Sequence, residues 1–185
     1  TLYVRILRTP NLERYDVSSL QVALSGGQAM PAHLARELEA RLGCRFQNLY
    51  GASEGFSLLT RLDDPDEVRF RAAGRPSSPH DILKLVDPET GVEVEPGRPG
   101  ELWVKGPRIA PGYYGDPEKT GENFTPDGYY RSGDLLYRDP DGYYYFVGRL
   151  RDVINRGGLK VGAEEVEGYL IMHPKVREAA AVGIP

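Results

Sequence analysis

The sequence predicts an α/β fold: the end of a large α/β domain, consisting of a βαβ unit plus an antiparallel sheet or distorted barrel, followed by the start of a small α+β domain. Three observations lead to this prediction. A helix pattern lies between two apolar runs near the amino terminus, short strand patterns fill residues 80–147, and a charged segment, residues 148–152, ends them. We therefore expect a large domain over 1–148 and a small one over 149–185.

Two apolar runs, residues 20–24 and 45–50, flank a helix pattern in the amino-terminal part. That pattern has leucines at helical spacing, a proline suited to a first turn and a glycine suited to a helix end. Because a helical crossover joins parallel strands, the loops that follow both strands should lie at one edge of the sheet, where α/β sheets bind ligands. The helix residues are Pro31, Leu34, Leu38, Leu42 and Gly43.

Short strand patterns separated by turn-forming residues predict the antiparallel sheet. The strand candidates are residues 82–86, 92–94 and 101–105. Asp-Gly pairs at 127–128 and 141–142 lie between aromatic-rich runs, which is a strong hairpin pattern.

The last part of the chain has the pattern of a second, incomplete α/β unit. The glycine pair 157–158 lies in a hairpin-like stretch, residues 163–172 favour a helix with Val166 and Leu170 on one face, and residues 179–184 favour a strand. The chain lacks an initial Met and stops directly after this strand pattern. We expect it to be a segment of a longer protein.

Composition and charge disfavour several classes of protein. The 23 basic and 27 acidic side chains leave a net charge of −4, which argues against nucleic acid as a partner. The single cysteine, Cys44, cannot form an internal disulfide, so a reducing, cytoplasmic location is expected. No run approaches the length of a membrane span, and the three histidines are too far apart in sequence to pair at helical spacing.

The segment from Asn48 to Glu54 combines residue types that suit a nucleotide with a metal ion. The Glu54 carboxylate suits Mg²⁺, the Ser53 hydroxyl and nearby backbone N–H groups suit phosphate oxygens, and the Tyr50 ring suits a nucleobase. The alternative is a buried tyrosine followed by a tight turn with a solvated glutamate.

The same segment matches the Gly-x-Ser-x-Gly pattern of serine hydrolases. In that interpretation Ser53 is the nucleophile, and Asp134 and His173 follow in the order of an α/β-hydrolase. The pattern requires a helix directly after the serine, whereas residues 56–60 favour a strand.

Two further charged groups suit a nucleotide. Asp134 can accept hydrogen bonds from both hydroxyls of a ribose, or it can close an ordinary turn after Gly133. Arg149 stands at the predicted domain junction and offers phosphate a planar fork of donors, although a surface arginine in a linker is the commoner occurrence.

Taken in order, these motifs resemble those of the adenylate-forming superfamily, which includes acyl- and aryl-CoA synthetases, peptide-synthetase adenylation domains and luciferases. Three segments, residues 60–65, 154–158 and 163–167, are most similar to the aryl-acid AMP ligases of siderophore biosynthesis, such as 2,3-dihydroxybenzoate–AMP ligase. The set of motifs spans nearly the whole chain: Ser25-Gly26-Gly27, Asn48-x-Tyr50-Gly51-x-Ser53-Glu54, Tyr130-Arg131-Ser132-Gly133-Asp134-Leu135, Gly148-Arg149-x-x-Asp152-x-Ile154 and Glu164-Glu165-Val166-Glu167.

The resemblance implies that ATP and a carboxylic acid, such as a hydroxybenzoate, form an acyl-adenylate and pyrophosphate before a thiol takes the acyl group. It implies ATP and Mg²⁺ as cofactors, CoA or phosphopantetheine as the thiol, and a small-molecule acid and an aryl or acyl carrier protein as partners. The implied nucleotide-binding residues are Gly26, Gly27, Gln28, Asn48, Tyr50, Gly51, Asp134 and Arg149; the implied catalytic residues are Ser53, Glu54, which also holds Mg²⁺, and Arg149; the implied hinge is Arg151.

The chain also departs from the family pattern. Ser53 replaces the more usual Thr, and Leu159 stands where the aryl-acid subgroup typically has Glu. The phosphate loop expected upstream and the terminal catalytic lysine fall outside the chain, so we expect these 185 residues alone to be inactive. Three alternatives stay open: an acyl-CoA synthetase for another acid, a serine hydrolase using Ser53, and a non-catalytic nucleotide-binding module.

Overall fold

A computed structural model describes residues 2–28, 30–156, 159–171, 173, 175–176 and 179–183. The chain divides into two compact units. Residues 1–51 and 57–77 form the first unit, and residues 52–56 and 78–185 form the second. The second unit contains residues on both sides of the boundary that we predict after residue 148, and that boundary stays a prediction.

The first unit is built on a four-stranded sheet whose strands lie side by side in chain order. The first two strands pair in parallel, with Val22 opposite Arg45, and a helix connects them, so the predicted βαβ unit is confirmed. The strands are β1 (Val22–Gly26), β2 (Arg45–Ala52), β3 (Phe56–Leu59) and β4 (Arg75–Pro76); the helices are α1 (Leu2–Leu7), α2 (Ala32–Leu42) and α3 (Asp66–Arg71), with a 3₁₀ turn at Leu12–Arg14.

Helix α2 has the boundaries that the sequence predicts. It begins after Pro31 and ends at Gly43, whose φ of 68° is the left-handed conformation that glycine adopts without strain. Its buried residues join an apolar core, which therefore holds the helix against the sheet. The core residues are Leu7, Leu12, Ala23, Ala35, Leu38, Leu42, Cys44, Phe46 and Phe70.

The second unit contains the predicted antiparallel sheet, which is open and has four strands in chain order. Leu102, Val104 and Leu136 are fully buried on one face. The Asp-Gly pair at 141–142 turns between the last two strands, as predicted. The strands are β5 (Ile82–Val86), β6 (Gly100–Lys105), β7 (Tyr130–Arg138) and β8 (Tyr144–Arg149).

Two predictions for this sheet are wrong. Residues 92–94 form only a single bridge, Val86 with Glu93, because a tight turn folds them back onto the end of β5. The Asp-Gly pair at 127–128 lies in a turn that is closed by a single bridge between Phe124 and Tyr130, and it does not connect two strands. The residues before that turn form a short helix, α4 (Pro117–Asn123).

Helix α4 was not predicted, although the sequence contains a typical helix start. The carboxylate of Asp116 accepts a hydrogen bond from the Lys119 backbone N–H at 2.9 Å, and Pro117 occupies the first turn. A capping aspartate followed by proline is a typical helix start. Helices α1 and α3, each of six residues, were also missed.

The carboxy-terminal part begins with a 3₁₀ turn, Leu150–Asp152, and an antiparallel hairpin of β9 (Val153–Arg156) and β10 (Leu159–Gly162). The hairpin is confirmed, and its glycine pair 157–158 lies outside the described residues. Helix α5 (Ala163–Ile171) follows as predicted; residue 172 is not among the described residues.

The predicted strand over 179–184 is wrong for the residues that the structure describes, 179–183, because their backbone pairs with no other strand. The Ala181 N–H donates instead to the Glu167 carboxylate at 2.9 Å. Within the same described ranges, no helix has the length and apolar character needed to cross a membrane.

Candidate functional site

The carboxyl ends of β1 and β2 lie side by side because the strands are parallel and Gly26 is opposite Leu49. This edge carries residues 26–28 after the first strand and residues 50–51 at the end of the second. The structure therefore brings these two predicted segments to one edge of the first unit, which is the expected place for a ligand in such a sheet.

Two glycines at this edge have steric reasons to be glycine. A Cβ on Gly26 would lie 2.8 Å from the Leu49 side chain and 3.0 Å from its carbonyl oxygen. Gly27 has a φ of 79°, where a side chain would be strained. Both glycines keep backbone accessible at the sheet edge, and the neighbouring Gln28 is exposed.

Asn48 already takes part in the hydrogen bonding of the first unit. Its side-chain Nδ2 donates to the Ala72 carbonyl at 2.8 Å, and its backbone N–H donates to the Thr60 hydroxyl at 2.8 Å. These bonds fix the asparagine two residues before the half-buried Tyr50. Contacts of Asn48 and Tyr50 with an adenine stay predictions.

Ser53 and Glu54 lie in a turn that leads directly into β3, so the helix that a hydrolase nucleophile requires is not formed. The Ser53 hydroxyl is exposed and donates to Glu54 Oε2 at 3.2 Å. His173 Nδ1 accepts a hydrogen bond from the Lys175 backbone at 3.2 Å, within a local turn. The hydrolase hypothesis for Ser53 is therefore wrong on local structure.

The Glu54 carboxylate is surrounded by neutral hydroxyl groups. The Tyr113 hydroxyl donates to Glu54 Oε1 at 2.6 Å, and the buried Tyr130 lies close enough to both residues to influence their pKa values. Partial burial alone would raise the pKa of Glu54, but hydrogen bonds from Tyr113, Tyr130 and Ser53 hold that pKa below its ordinary value. Over the described part of the chain, Glu54 forms no ion pair with Lys or Arg.

The surroundings of Glu54 fit a magnesium ion held jointly with phosphates. Among the described residues, no group of three or more His, Cys, Asp or Glu side chains forms a metal cage. Mg²⁺ is typically bound by one or two carboxylates together with substrate phosphates and water. A single ionised carboxylate without a neutralising cation, next to the Ser53 hydroxyl, is a suitable donor for that arrangement.

Asp134 and Arg149 are neighbours across the β7–β8 pair and form an ion pair, with 3.3 Å between Arg149 Nε and Asp134 Oδ1. The aspartate side chain is 14% exposed and the arginine side chain 47%. The pair is thus half open to a ligand. A carboxylate has about four lone-pair sites and can accept several hydrogen bonds at once.

A bulge in β7 interrupts its pairing with β6 just before Leu135, while Asp134 stays paired with Arg149 on β8. The register shifts between Glu101 and Trp103 on the neighbouring strand, and Gly133 adopts a φ of 71°. The buried Glu101 carboxylate accepts the Gly133 N–H at 3.1 Å, while the Ser132 hydroxyl accepts the Asp134 N–H at 3.1 Å. The Ser-Gly-Asp sequence therefore forms a local irregularity within the strand.

The predicted hinge residue, Arg151, lies in the 3₁₀ turn that follows β8. It is 75% exposed, and its ion pair within the described residues is with the adjacent Asp152, with 3.7 Å between Arg151 Nε and Asp152 Oδ1. Its local contacts are those of a surface side chain, and a hinge role for it stays a prediction.

Tyr113 is a site residue that the sequence analysis missed. It lies 59 positions after Glu54, and only the folded loop between β6 and α4 brings the two together. The helix start at Asp116-Pro117 was readable and would have placed the end of that loop. The partner of the tyrosine hydroxyl was not readable from local patterns.

A family model described as "AMP-binding enzyme" matches residues 1–114. The 2,3-dihydroxybenzoate-AMP ligase of Bacillus subtilis (strain 168) is 45% identical over 172 residues, covering 93% of this chain and 32% of that protein. The 2-hydroxy-7-methoxy-5-methyl-1-naphthoate–CoA ligase of Streptomyces carzinostaticus is 48% identical over 170 residues, covering 92% and 30%. The chain thus spans about a third of the length of these curated relatives.

Solved structures agree with these matches. ATP-bound MatB from Rhodopseudomonas palustris has a TM-score of 0.87 and 33% identity, covering 99% of this chain and 36% of that one. The anthranilate CoA ligase AuaEII in complex with anthranoyl-AMP has a TM-score of 0.84 and 32% identity, covering 99% and 35%. The predicted fold class is confirmed by this similarity.

Proposed function

The chain belongs to the AMP-binding enzyme family, and on that basis we propose that it is part of a ligase that activates an aryl carboxylic acid as its adenylate. The activated acyl group then passes to a thiol. Because the chain covers about a third of its relatives, the activity proposed is that of the whole protein.

The proposal of an aryl acid draws on the relatives. The names of two of them specify a dihydroxybenzoate and a naphthoate, and a structural neighbour holds an anthranoyl-AMP. All three acids carry their carboxyl group on an aromatic ring. An acyl-CoA synthetase for another acid is the competing candidate.

The first step joins the acid to AMP. A carboxylate oxygen of the acid attacks the α-phosphorus of ATP, and pyrophosphate leaves with the electron pair of the broken phosphorus–oxygen bond. In the second step a thiolate sulfur attacks the acyl carbon. AMP leaves with the electron pair of the broken bond between the acyl carbon and its phosphate oxygen. An anion attacks an anion in the first step, so the barrier falls when positive charge and donors neutralise the phosphates.

The residues of the second unit would carry most of that chemistry. Mg²⁺, when bound, would neutralise phosphate charge as pyrophosphate leaves. Glu54 would hold the ion, and the Ser53 hydroxyl would donate a hydrogen bond to a phosphate oxygen. Asp134 would accept hydrogen bonds from the two ribose hydroxyls. Arg149 would orient the Asp134 carboxylate through their ion pair and donate to ribose or phosphate.

Other predicted residues would contribute positioning. Gly26, Gly27 and Gln28 would line the adenine and acyl pockets, Asn48 and Tyr50 would contact adenine, and Gly51 would belong to the nucleotide-binding set. Fixing the base and the ribose raises the rate by holding the α-phosphate in line with the attacking oxygen.

One observation carries the proposal: Glu54 is partly buried and hydrogen-bonded, yet among the described residues its donors are neutral and it has no Lys or Arg ion pair, so its negative charge remains available. A solvated surface glutamate would not need two tyrosine hydroxyls. A structural ion pair would have a lysine or arginine partner.

The test is ATP–pyrophosphate exchange by the full-length gene product, meaning the protein encoded by the longest reading frame that contains this sequence. We expect exchange with at least one hydroxybenzoate to exceed exchange with fatty acids by tenfold or more. Faster exchange with fatty acids would identify the competing synthetase. No exchange with any acid would refute an adenylating function and leave a non-catalytic nucleotide-binding module.

The thiol acceptor requires a second assay. Relatives include a CoA ligase and enterobactin synthase component E of Escherichia coli (strain K12). Incubating the adenylate-loaded enzyme with CoA or with a phosphopantetheinylated aryl carrier protein, and measuring AMP release, distinguishes the two acceptors.

A further inference from the structure

The backbone at Glu54 is fixed by the loop between β6 and α4. The Ala110 N–H donates to the Glu54 carbonyl at 2.7 Å. Gly55, with a φ of 120°, packs so closely that a Cβ would lie 1.8 Å from the Arg108 carbonyl oxygen. These contacts determine where the glutamate side chain leaves the backbone, but they leave the direction of its carboxylate to other groups.

Tyr113 is held in place independently of Glu54. Its backbone N–H donates to the Thr120 hydroxyl at 2.9 Å, and its ring lies edge-on to Phe124 with centroids 5.6 Å apart. A Cβ on the preceding Gly112 would lie 2.6 Å from Thr120 Cγ2, so the loop packs directly on α4. The tyrosine hydroxyl is therefore a preorganised donor.

The hydroxyl of Tyr113 leaves the carboxylate charged. A carboxylate accepts hydrogen bonds on both oxygens. Tyr113 donates to Oε1 and the exposed Ser53 donates to Oε2, and both donors are neutral. A lysine or arginine in the same place would have neutralised the charge that a metal requires.

We propose that Tyr113 is a positioning residue, whose hydroxyl orients the Glu54 carboxylate toward the metal ion of the bound nucleotide. This role presupposes the proposed function, because it requires a metal at Glu54. Groups that hydrogen-bond to a metal ligand fix its direction, and their loss typically weakens metal affinity 10- to 100-fold. Tyr113 does not itself touch the substrate in this proposal.

The direct test is Mn²⁺ binding to the full-length gene product in the presence of α,β-methylene-ATP. Binding is measured from the electron paramagnetic resonance signal of free Mn²⁺. Tyr113→Phe removes one hydroxyl and keeps the ring against Phe124. We expect its Mn²⁺ affinity to fall about tenfold or more. Tyr114→Phe is the matched control, because the adjacent Tyr114 is fully exposed, and its affinity should stay within twofold of the wild-type value.

Exchange kinetics separate positioning from a general structural role. For Tyr113→Phe, the Mg²⁺ concentration that gives half-maximal exchange should rise about tenfold, while kcat at saturating Mg²⁺ returns to within threefold of the wild-type value. A merely structural role would lower exchange at every Mg²⁺ concentration, and that result would overturn the proposal. Thermal denaturation verifies folding; if Tyr113→Phe does not fold, Tyr130→Phe, which removes the other hydroxyl, takes its place.

The proposed function and the role of Tyr113 fail in different ways. Equal Mn²⁺ affinity in Tyr113→Phe and wild type, alongside normal exchange, overturns only the role of Tyr113. Absence of exchange with every acid overturns the proposed function, while the Mn²⁺ titration, which needs no acid, still decides the role of Tyr113. Wild-type protein that binds no Mn²⁺ with the nucleotide overturns both.

Discussion

Two partly buried carboxylates, one in each unit, are held by different kinds of partner. In the first unit Glu39 lies against the fully buried guanidinium of Arg69, which also donates to the Phe46 carbonyl at 2.9 Å and to Asp66 at 2.6 Å. In the second unit the described side chains that donate to Glu54 are hydroxyls, with Tyr113 at 2.6 Å. The first carboxylate is neutralised by a cation and the second is not.

The difference separates a structural charge from an available one. Burial alone would raise the pKa of Glu39 as it would that of Glu54, and hydrogen bonds outweigh burial in both, so both pKa values lie below the ordinary value. A low pKa alone therefore does not identify a functional carboxylate. The charge of the partners does identify it, because an arginine beside a carboxylate cancels the negative potential that would attract a metal ion or a substrate.

The largest expected effect comes from removing the cation that neutralises Glu39. Arg69→Ala should lower the free energy of unfolding by about 3–5 kcal/mol, because it leaves Glu39 partly buried without its cation. The measurement is thermal or urea denaturation of the full-length gene product. Arg71→Ala is the control: Arg71 lies on the same helix, and its pair with Glu67, at 3.1 Å, is 64% exposed on both sides.

The control variant should change stability by less than about 1 kcal/mol, as exposed ion pairs do. If Arg69→Ala is no more destabilising than Arg71→Ala, the guanidinium of Arg69 does not stabilise the fold by neutralising Glu39. The contrast between Glu39 and Glu54 would then fail.

The second prediction concerns function rather than stability. Glu54→Gln removes the negative charge but keeps an oxygen that can accept the Tyr113 hydrogen bond. Exchange should fall by about 100-fold, equivalent to about 2.7 kcal/mol of transition-state stabilisation, while stability changes by less than about 1 kcal/mol. Glu118→Gln, at an exposed position of α4, controls for the loss of one carboxylate. A stability loss as large as that of Arg69→Ala would show that Glu54 is structural.

Gly55→Ala tests whether the backbone at Glu54 is as tightly fixed as the geometry indicates. The new Cβ would meet the Arg108 carbonyl oxygen at 1.8 Å in a backbone conformation that side chains avoid, so we expect a loss of about 2 kcal/mol on denaturation. Gly115→Ala, also at positive φ but with no atom within 4 Å of the new Cβ, should cost about 1 kcal/mol. Equal losses would mean that the loop moves aside freely.

The same contrast explains what the sequence could and could not predict. Helix α2 and the β1–β2 pair follow from leucine spacing, Pro31 and Gly43, all local patterns, and so does the hairpin at 141–142. The Asp134–Arg149 pair was predicted as two separate groups, and the strand register joined them. Its bulge depends on Glu101, 32 residues before Gly133, and no local pattern encodes that contact.

Short elements and distant partners account for the errors. Helices of six or seven residues, such as α3 and α4, have too few turns for a periodic pattern. The strand predicted over 179–184 has apolar residues, but its described part, residues 179–183, pairs with no other described strand. The hydroxyls of Tyr113 and Tyr130 reach Glu54 from positions 59 and 76 residues later in the printed sequence. Sequence motifs thus identified the charged groups, while their partners emerged only from the fold.

The smallest expected effect is a difference in pH dependence between the two carboxylates. Each has a folded-state pKa below its unfolded value of about 4.3. Each therefore stabilises the fold fully above that pH and loses this contribution as pH falls through the folded-state pKa. Protonating Glu39 also strips a partner from the buried Arg69, whereas protonating Glu54 leaves only neutral hydroxyls. Glu39→Gln should consequently flatten the acid-side fall in stability more than Glu54→Gln does.

Melting temperatures of the wild type and both variants between about pH 3 and 6 measure this difference, since a flatter slope means fewer protons taken up on unfolding. Glu37→Gln, an exposed carboxylate on the same helix as Glu39 that lies 3.7 Å from Arg41, should leave the slope nearly unchanged. A larger flattening in Glu54→Gln than in Glu39→Gln would reverse the assignment, because it would place the stronger structural coupling at the carboxylate that lacks a cation.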